Sequence, residues 1–159
     1  MASVADVLTA DGRAPTDGFA LVVCAFNTFL NLSTEEAQQR CMHQVASLLG
    51  EDGVFVVESF VPAEASEIET ESIDESWVGR GMTVHILTDR DTQQVRGEHR
   101  EPDGPGVRRR RWTARYLYPE QFDALAAQAG LVRSQRWSDW QRRPFDEHSE
   151  NHITLYRRH

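Results

Sequence analysis

Lysine is absent from this sequence: all seventeen basic residues among its 159 are arginine. That bias reads as the codon preference of a GC-rich genome and excludes no function. Basic charge is also missing locally, since residues 41–79 contain no Arg and carry nine acids between Glu51 and Glu75. With a formal net charge of −8, the chain is a poor match for a dedicated nucleic-acid binder, which must neutralise phosphates. The run Arg108–Arg111 reads as solvated surface, because on a strand its side chains alternate between faces and Glu98, Glu101 and Asp103 lie close by. Only two cysteines are present, Cys24 and Cys41, which make neither a disulfide framework nor a metal-ligand spacing. His148 and His152 lack a carboxylate triplet beside them, so no metal is expected. No stretch approaches the ~18 consecutive apolar residues of a membrane span, and residues 1–12 lack the basic start and apolar middle of a secretory signal. These absences lead to the expectation of a cytoplasmic protein with reduced thiols, free of membrane and nucleic-acid partners.

What is present is a globular composition, 40% hydrophobic and 26% charged, in a length that suits one domain. Phe19–Phe26, F-A-L-V-V-C-A-F, is short, almost continuously apolar and rich in strand formers, which predicts a strand buried on both faces of a parallel sheet. Ser33 with Glu36 three positions later offers a capping box for a helix from Thr34 to Leu49. Ala37, Cys41, Val45, Leu48 and Leu49 give that helix one apolar face, and Gly50 suits its C-terminal stop. The turn Asp52-Gly53 leads into V-F-V-V-E-S-F, Val54–Phe60, a second buried strand. Strand, helix and strand in about forty residues make a right-handed βαβ unit.

Acidic Pro62–Trp77 reads as a short helix or a lid. Residues 81–88, 92–100 and 107–117 read as three antiparallel strands, an insertion over 81–117 within one domain of residues 1–159, with turns at Asp89–Thr92 and Pro102–Gly106. Pro119 opens a helix that ends near Ala129 before Gly130, with Phe122, Leu125, Ala126 and Ala129 inside. Leu131–Trp140 and Asn151–Arg157 close the sheet. Two long helices are few for covering both faces of such a sheet, so the fold is expected to be incomplete at its N-terminus.

The series F-A-L-V-V-C-A-F-N-T-F-L-N-L, a capped helix, L-L-G-E-D-G-V-F-V-V-E-S-F and Y-L-Y-P-E-Q-F-D-A-L-A-A-Q-A-G-L resembles the C-terminal part of class I S-adenosylmethionine-dependent methyltransferases. The resemblance covers residues 17–159 and implies an α/β fold, a partial Rossmann-like methyltransferase sheet. That sheet would consist of a βαβ unit, an antiparallel strand insertion and a closing antiparallel strand pair. The family's G-x-G-x-G cofactor loop and the acid that binds the ribose hydroxyls are missing, since Gly12 and Gly18 form no such loop.

The function implied is a methyltransferase for a small-molecule acceptor, present as its acceptor-side half. The alternative is a non-catalytic methyltransferase-like partner or regulatory subunit. S-adenosylmethionine is the implied cofactor, held weakly or not at all by this chain alone. By resemblance, Ala25, Phe26, Asn27 and Thr28 would line the methionine end of the cofactor, and Met1-Ala2 resembles the end of the family's third strand, beside the adenine. Asn31 would face the acceptor, with Phe60, Trp77 and Arg115 as further acceptor-side candidates. Glu58 stands out without any family, because a carboxylate within V-V-E-S-F needs a partner. It reads either as an acceptor-orienting group or general base, or as an ion pair with an arginine such as Arg115. The open edge of Phe19–Phe26 is a candidate for self-association or for a second chain.

Overall fold

The computed structural model describes residues 16–62, 71–74 and 83–159. The apolar run after Gly18 forms strand β1 (Phe19–Cys24), followed by a short 3-10 turn at Thr28–Asn31 and helix α1 (Glu35–Leu48). The helix starts from Thr34 rather than Ser33: Thr34 is extended, which lets its Oγ1 fold back and accept from the Ala37 amide at 3.2 Å. Gln38, Cys41, Met42 and Val45 form the buried stripe of α1.

The chain then passes directly into strand β2 (Leu49–Phe60) with Leu49 already extended, so Gly50 is not the left-handed helix stop that its position suggested. Its role is close approach. A Cβ on Gly50 would lie 2.5 Å from the Asp17 carbonyl oxygen, and one on Gly53 2.6 Å from that of Phe19. Glycines therefore let the chain entering β1 cross the start of β2, where the pairing shifts from Phe19 opposite Leu49 to Leu21 opposite Val54.

Pro119 opens helix α2 (Pro119–Gln128), and Gly130 follows it at φ +77°, the left-handed conformation that ends many helices. Strands β7 (Leu131–Trp137) and β8 (Asn151–Arg158) complete a sheet in the order β1-β2-β8-β7. β1 and β2 are parallel, while β8 is antiparallel to both β2 and β7. β7 stops at Trp137, short of Trp140, because Asp139 Oδ1 accepts from the Gln141 and Arg143 amides and turns the chain.

One face of this sheet is buried through Cys24, Phe55, Val57, Ser59, His152, Thr154 and Tyr156. Helices α1 and α2 touch each other, and Phe122 of α2 packs 5.3 Å from Phe29 and 5.2 Å from His152, ring to ring. On the opposite face Leu21 and Val23 are 56% and 49% exposed, so β1 is not buried on both faces as its apolar run predicts. Among the described residues, β1 is the edge strand and no helix lies over that side of it.

Under α2 runs a polar network. Asp123 accepts from Arg136 Nη2 at 2.7 Å, from Tyr156 Oη at 2.8 Å and from Arg133 Nη1 at 2.9 Å. Arg136 also donates to Thr154 Oγ1 at 2.8 Å and to the Pro119 carbonyl at 3.1 Å. Thr154 Oγ1 in turn lies 2.9 Å from His152 Nδ1.

The chain divides into two compact units, the first comprising Met1–Pro62 with Leu117–His159 and the second Ala63–Tyr116. The second holds β3 (Glu71–Asp74), β4 (Thr83–Asp89), β5 (Gln94–Asp103) and β6 (Gly106–Arg115), an antiparallel meander in chain order. It has one strand more than the three expected, because Glu71–Asp74 pairs with β4 instead of entering a helix. The rest of the acidic segment, 63–70 and 75–77, lies outside the described residues. The arginine run alternates as its strand setting requires: Arg109 and Arg111 reach Glu98, as does Arg100, while Arg108 reaches Asp103. The Arg111 and Arg100 guanidinium groups hold the Glu98 carboxyl at about 2. No helix among the described residues is long and apolar enough to cross a membrane.

Candidate active site at the carboxyl ends of β1 and β2

In open α/β sheets, ligands bind beyond the carboxyl ends of the parallel strands. β1 ends at Cys24 rather than Phe26 because Phe26 and Asn27 leave the extended region, with φ values of 52° and 57°. Two successive left-handed residues without glycine cost about 1–2 kcal/mol each, so local bonds must hold them. The Phe26 amide donates to Glu58 Oε2 at 2.9 Å, the Asn27 amide to the Glu58 carbonyl at 3.2 Å, and the Phe60 amide to Asn27 Oδ1 at 2.7 Å. The Thr28 amide closes the turn on the Ala25 carbonyl at 3.1 Å, and Asn31 Nδ2 donates to the Thr28 carbonyl at 3.2 Å. This turn leaves Phe26 85% exposed.

Glu58 Oε1 has a partner distant in sequence: Trp140 Nε1 donates to it at 3.0 Å, and Trp140 is half exposed. Nothing local in the sequence links them, since 82 positions separate the two residues. Arg115 belongs to the meander unit, where its Nη2 lies 3.5 Å from Gln93 Oε1; the partners of Glu58 are Phe26 and Trp140. An ionised carboxylate offers about four acceptor positions. With one donor on each oxygen, Glu58 keeps acceptor capacity for a polar N–H or O–H arriving from solvent.

Of the candidates named from the sequence, Ala25, Phe26, Asn27, Thr28, Asn31, Glu58 and Phe60 come together at this edge. Met1, Ala2 and Trp77 lie outside the described residues. Neither cysteine is a nucleophile: burial, with the neighbouring Cys41 a smaller cause, pushes the Cys24 thiol up to about 12, and burial pushes Cys41 up to about 11.

No protein-family profile and no curated protein matches this sequence. Solved structures do match. The chain is similar to the CcbJ methyltransferase from Streptomyces caelestis, at a TM-score of 0.81 and 29% identity, over 92% of this chain and 59% of that one. An S-adenosylmethionine-dependent methyltransferase from Clostridium acetobutylicum gives a TM-score of 0.71 at 13% identity, over 90% of this chain and 59% of that one. An amino pentose methyltransferase from Micromonospora echinaspora, solved with S-adenosylmethionine bound, gives 0.60 at 21% identity, over 89% of this chain and 59% of that one. The chain thus spans 59% of the length of each of these structures.

Proposed function

We propose that this chain, a member of the class I S-adenosylmethionine-dependent methyltransferase family, carries the acceptor-facing part of a cytoplasmic methyltransferase for a small molecule. The observation that carries this reading is Glu58, fixed from two sides at the carboxyl end of β2 with lone pairs to spare. Exposed Phe26 and Trp140 flank that carboxylate and can wall a pocket for an organic acceptor.

S-adenosylmethionine, when bound, supplies an electrophilic methyl group on a sulfonium. The exposed turn Ala25–Thr28 fits the methionine end of such a group, because two left-handed residues bring backbone to the surface at the strand end. A G-x-G-x-G loop for the nucleoside end is not in the sequence. Since the leaving group is already good, the task left to the protein is alignment. Glu58 would accept a hydrogen bond from the acceptor's N–H or O–H and so aim its lone pair, and Phe26 and Trp140 would exclude water.

Two measurements test this. Titration of S-adenosylhomocysteine into this chain alone is expected to show no saturable binding at micromolar concentrations; micromolar affinity would mean that this chain holds the cofactor unaided. In an active preparation containing the G-x-G-x-G loop, Glu58→Gln is expected to lower kcat/KM for the acceptor about 100-fold, with the cofactor KM unchanged. Unchanged kcat/KM would remove Glu58 from the mechanism.

The bare side of β1, with Leu21 and Val23 exposed, favours a second reading, a non-catalytic subunit that associates through this strand or with a second copy of itself. Sedimentation that shows only monomer over a wide concentration range would count against it.

A further inference from the structure

The meander unit carries a cluster that shares no residue with the candidate site of the first unit. β5 and β6 pair with Gly97 opposite Trp112, His99 opposite Arg110 and Glu101 opposite Arg108, so these six residues share one face. Gly97 is buried, and a Cβ there would lie 2.0 Å from Trp112 Cε2. The indole therefore lies flat across the β5 backbone in space that only glycine leaves open. The His99 ring stands 6.4 Å away, tilted by 47° to the indole.

Cations complete the groove unequally. Arg108 is held by Asp103 through Nη2 at 2.9 Å and Nε at 3.2 Å, and Arg111 by Glu98. Arg110, beside Trp112 on the same face, has no hydrogen bond or ion pair among the described residues. His99, Glu101, Arg108, Arg110, Arg111 and Trp112 line a groove of about 330 Å³, the size of a one-ring ligand.

From this juxtaposition we propose that the groove is a binding site for a planar aromatic ring bearing an anionic group, phosphate or carboxylate. The ring stacks on Trp112, a large rigid platform, and the anion takes the guanidinium of Arg110. Glu101, on the same face, disfavours a ligand with charge spread around its ring and restricts the anion to the Arg110 side. The site involves no residue of the β1–β2 edge, so it stands or falls independently of the methyltransferase reading.

Phenyl phosphate and benzoate are the probes for the two anions, with inorganic phosphate and phenyl glucoside as controls that each lack one element of recognition. Two-dimensional NMR of the whole chain follows the Trp112 indole N–H and the Arg110 Nε–H. At least one aromatic anion is expected to shift both signals saturably with a Kd of about 1 mM or below, and both controls are expected to bind at least about tenfold more weakly. Arg110→Gln, an exposed change that leaves the fold intact, is expected to weaken binding by about tenfold or more. Trp112→Phe retains a ring and is expected to weaken it less than Trp112→Leu does. The proposal is overturned if neither anion saturates, if inorganic phosphate or phenyl glucoside binds as well, or if Arg110→Gln leaves affinity unchanged.

Discussion

Asp123→Ala is expected to lower the free energy of unfolding by about 3–5 kcal/mol, the cost of stranding a buried charge. The side chain of Arg136 is only 6% exposed, and Asp123 is its ion-pair partner at 2.7 Å. The same carboxylate receives Tyr156 Oη, whose phenol burial holds well above the usual tyrosine range, with the Asp123 charge adding to the shift. Tyr156 therefore stays protonated as a donor and would also lose its acceptor. Thr154 Oγ1 and the Pro119 carbonyl would remain to Arg136, but neither carries a compensating charge. Urea denaturation measures the loss, with Arg133→Gln as the comparison. Arg133 reaches the same carboxylate at 2.9 Å from a position 48% exposed, so its removal is expected to cost below about 1 kcal/mol. If the two variants are equally stable, the network does not hold α2 to the closing strands.

The second large effect is acid sensitivity through His152. Burial, reinforced by the positive charge of Arg136, depresses this imidazole to about 3. Phe122 and Phe145 face it with their rings, and its hydrogen-bond partner is the uncharged Thr154 hydroxyl. The unfolded chain takes up a proton at His152 near pH 6.5, whereas the folded chain resists doing so until about 3. The contribution is therefore fully present above about pH 6.5 and is lost as the pH falls toward 3, with a slope of up to about 1.4 kcal/mol per pH unit. Between pH 7 and 4.5 the wild type is expected to lose about 2–3 kcal/mol more than His152→Gln. Comparing the two chains by urea denaturation cancels the shared carboxylates. Parallel pH profiles would rule the histidine out as the source.

Much of the parallel sheet was legible because its strands consist of little else than apolar residues, as in F-A-L-V-V-C and V-F-V-V-E-S-F. That pattern reports hydrophobicity and not the number of covered faces, so it could not foresee the exposure of Leu21 and Val23. Adjacent hydroxyls at Ser33 and Thr34 made the helix start ambiguous by one residue, and backbone conformation decided it. Glu71–Asp74, E-S-I-D, is too short and acidic to announce a strand; its partner β4 defines it. At the candidate site, Glu58 was visible as a carboxylate in apolar company. Its bond from Trp140 was not, because a contact across 82 residues leaves no local spacing to read.

The edge strand β1 has a consequence for how the chain behaves before anything covers it. Exposed β edges are commonly guarded by gatekeepers, such as lysine, proline or an inward-pointing charge, that discourage pairing with stray strands. The segment Phe19–Phe26 contains none of these, and a sequence without lysine has one fewer kind to use. Leu21 and Val23 add an apolar wall beside that edge. Colloidal misassembly of the purified chain would therefore start at β1, and a charge introduced at Val23 would be the single change best placed to prevent it.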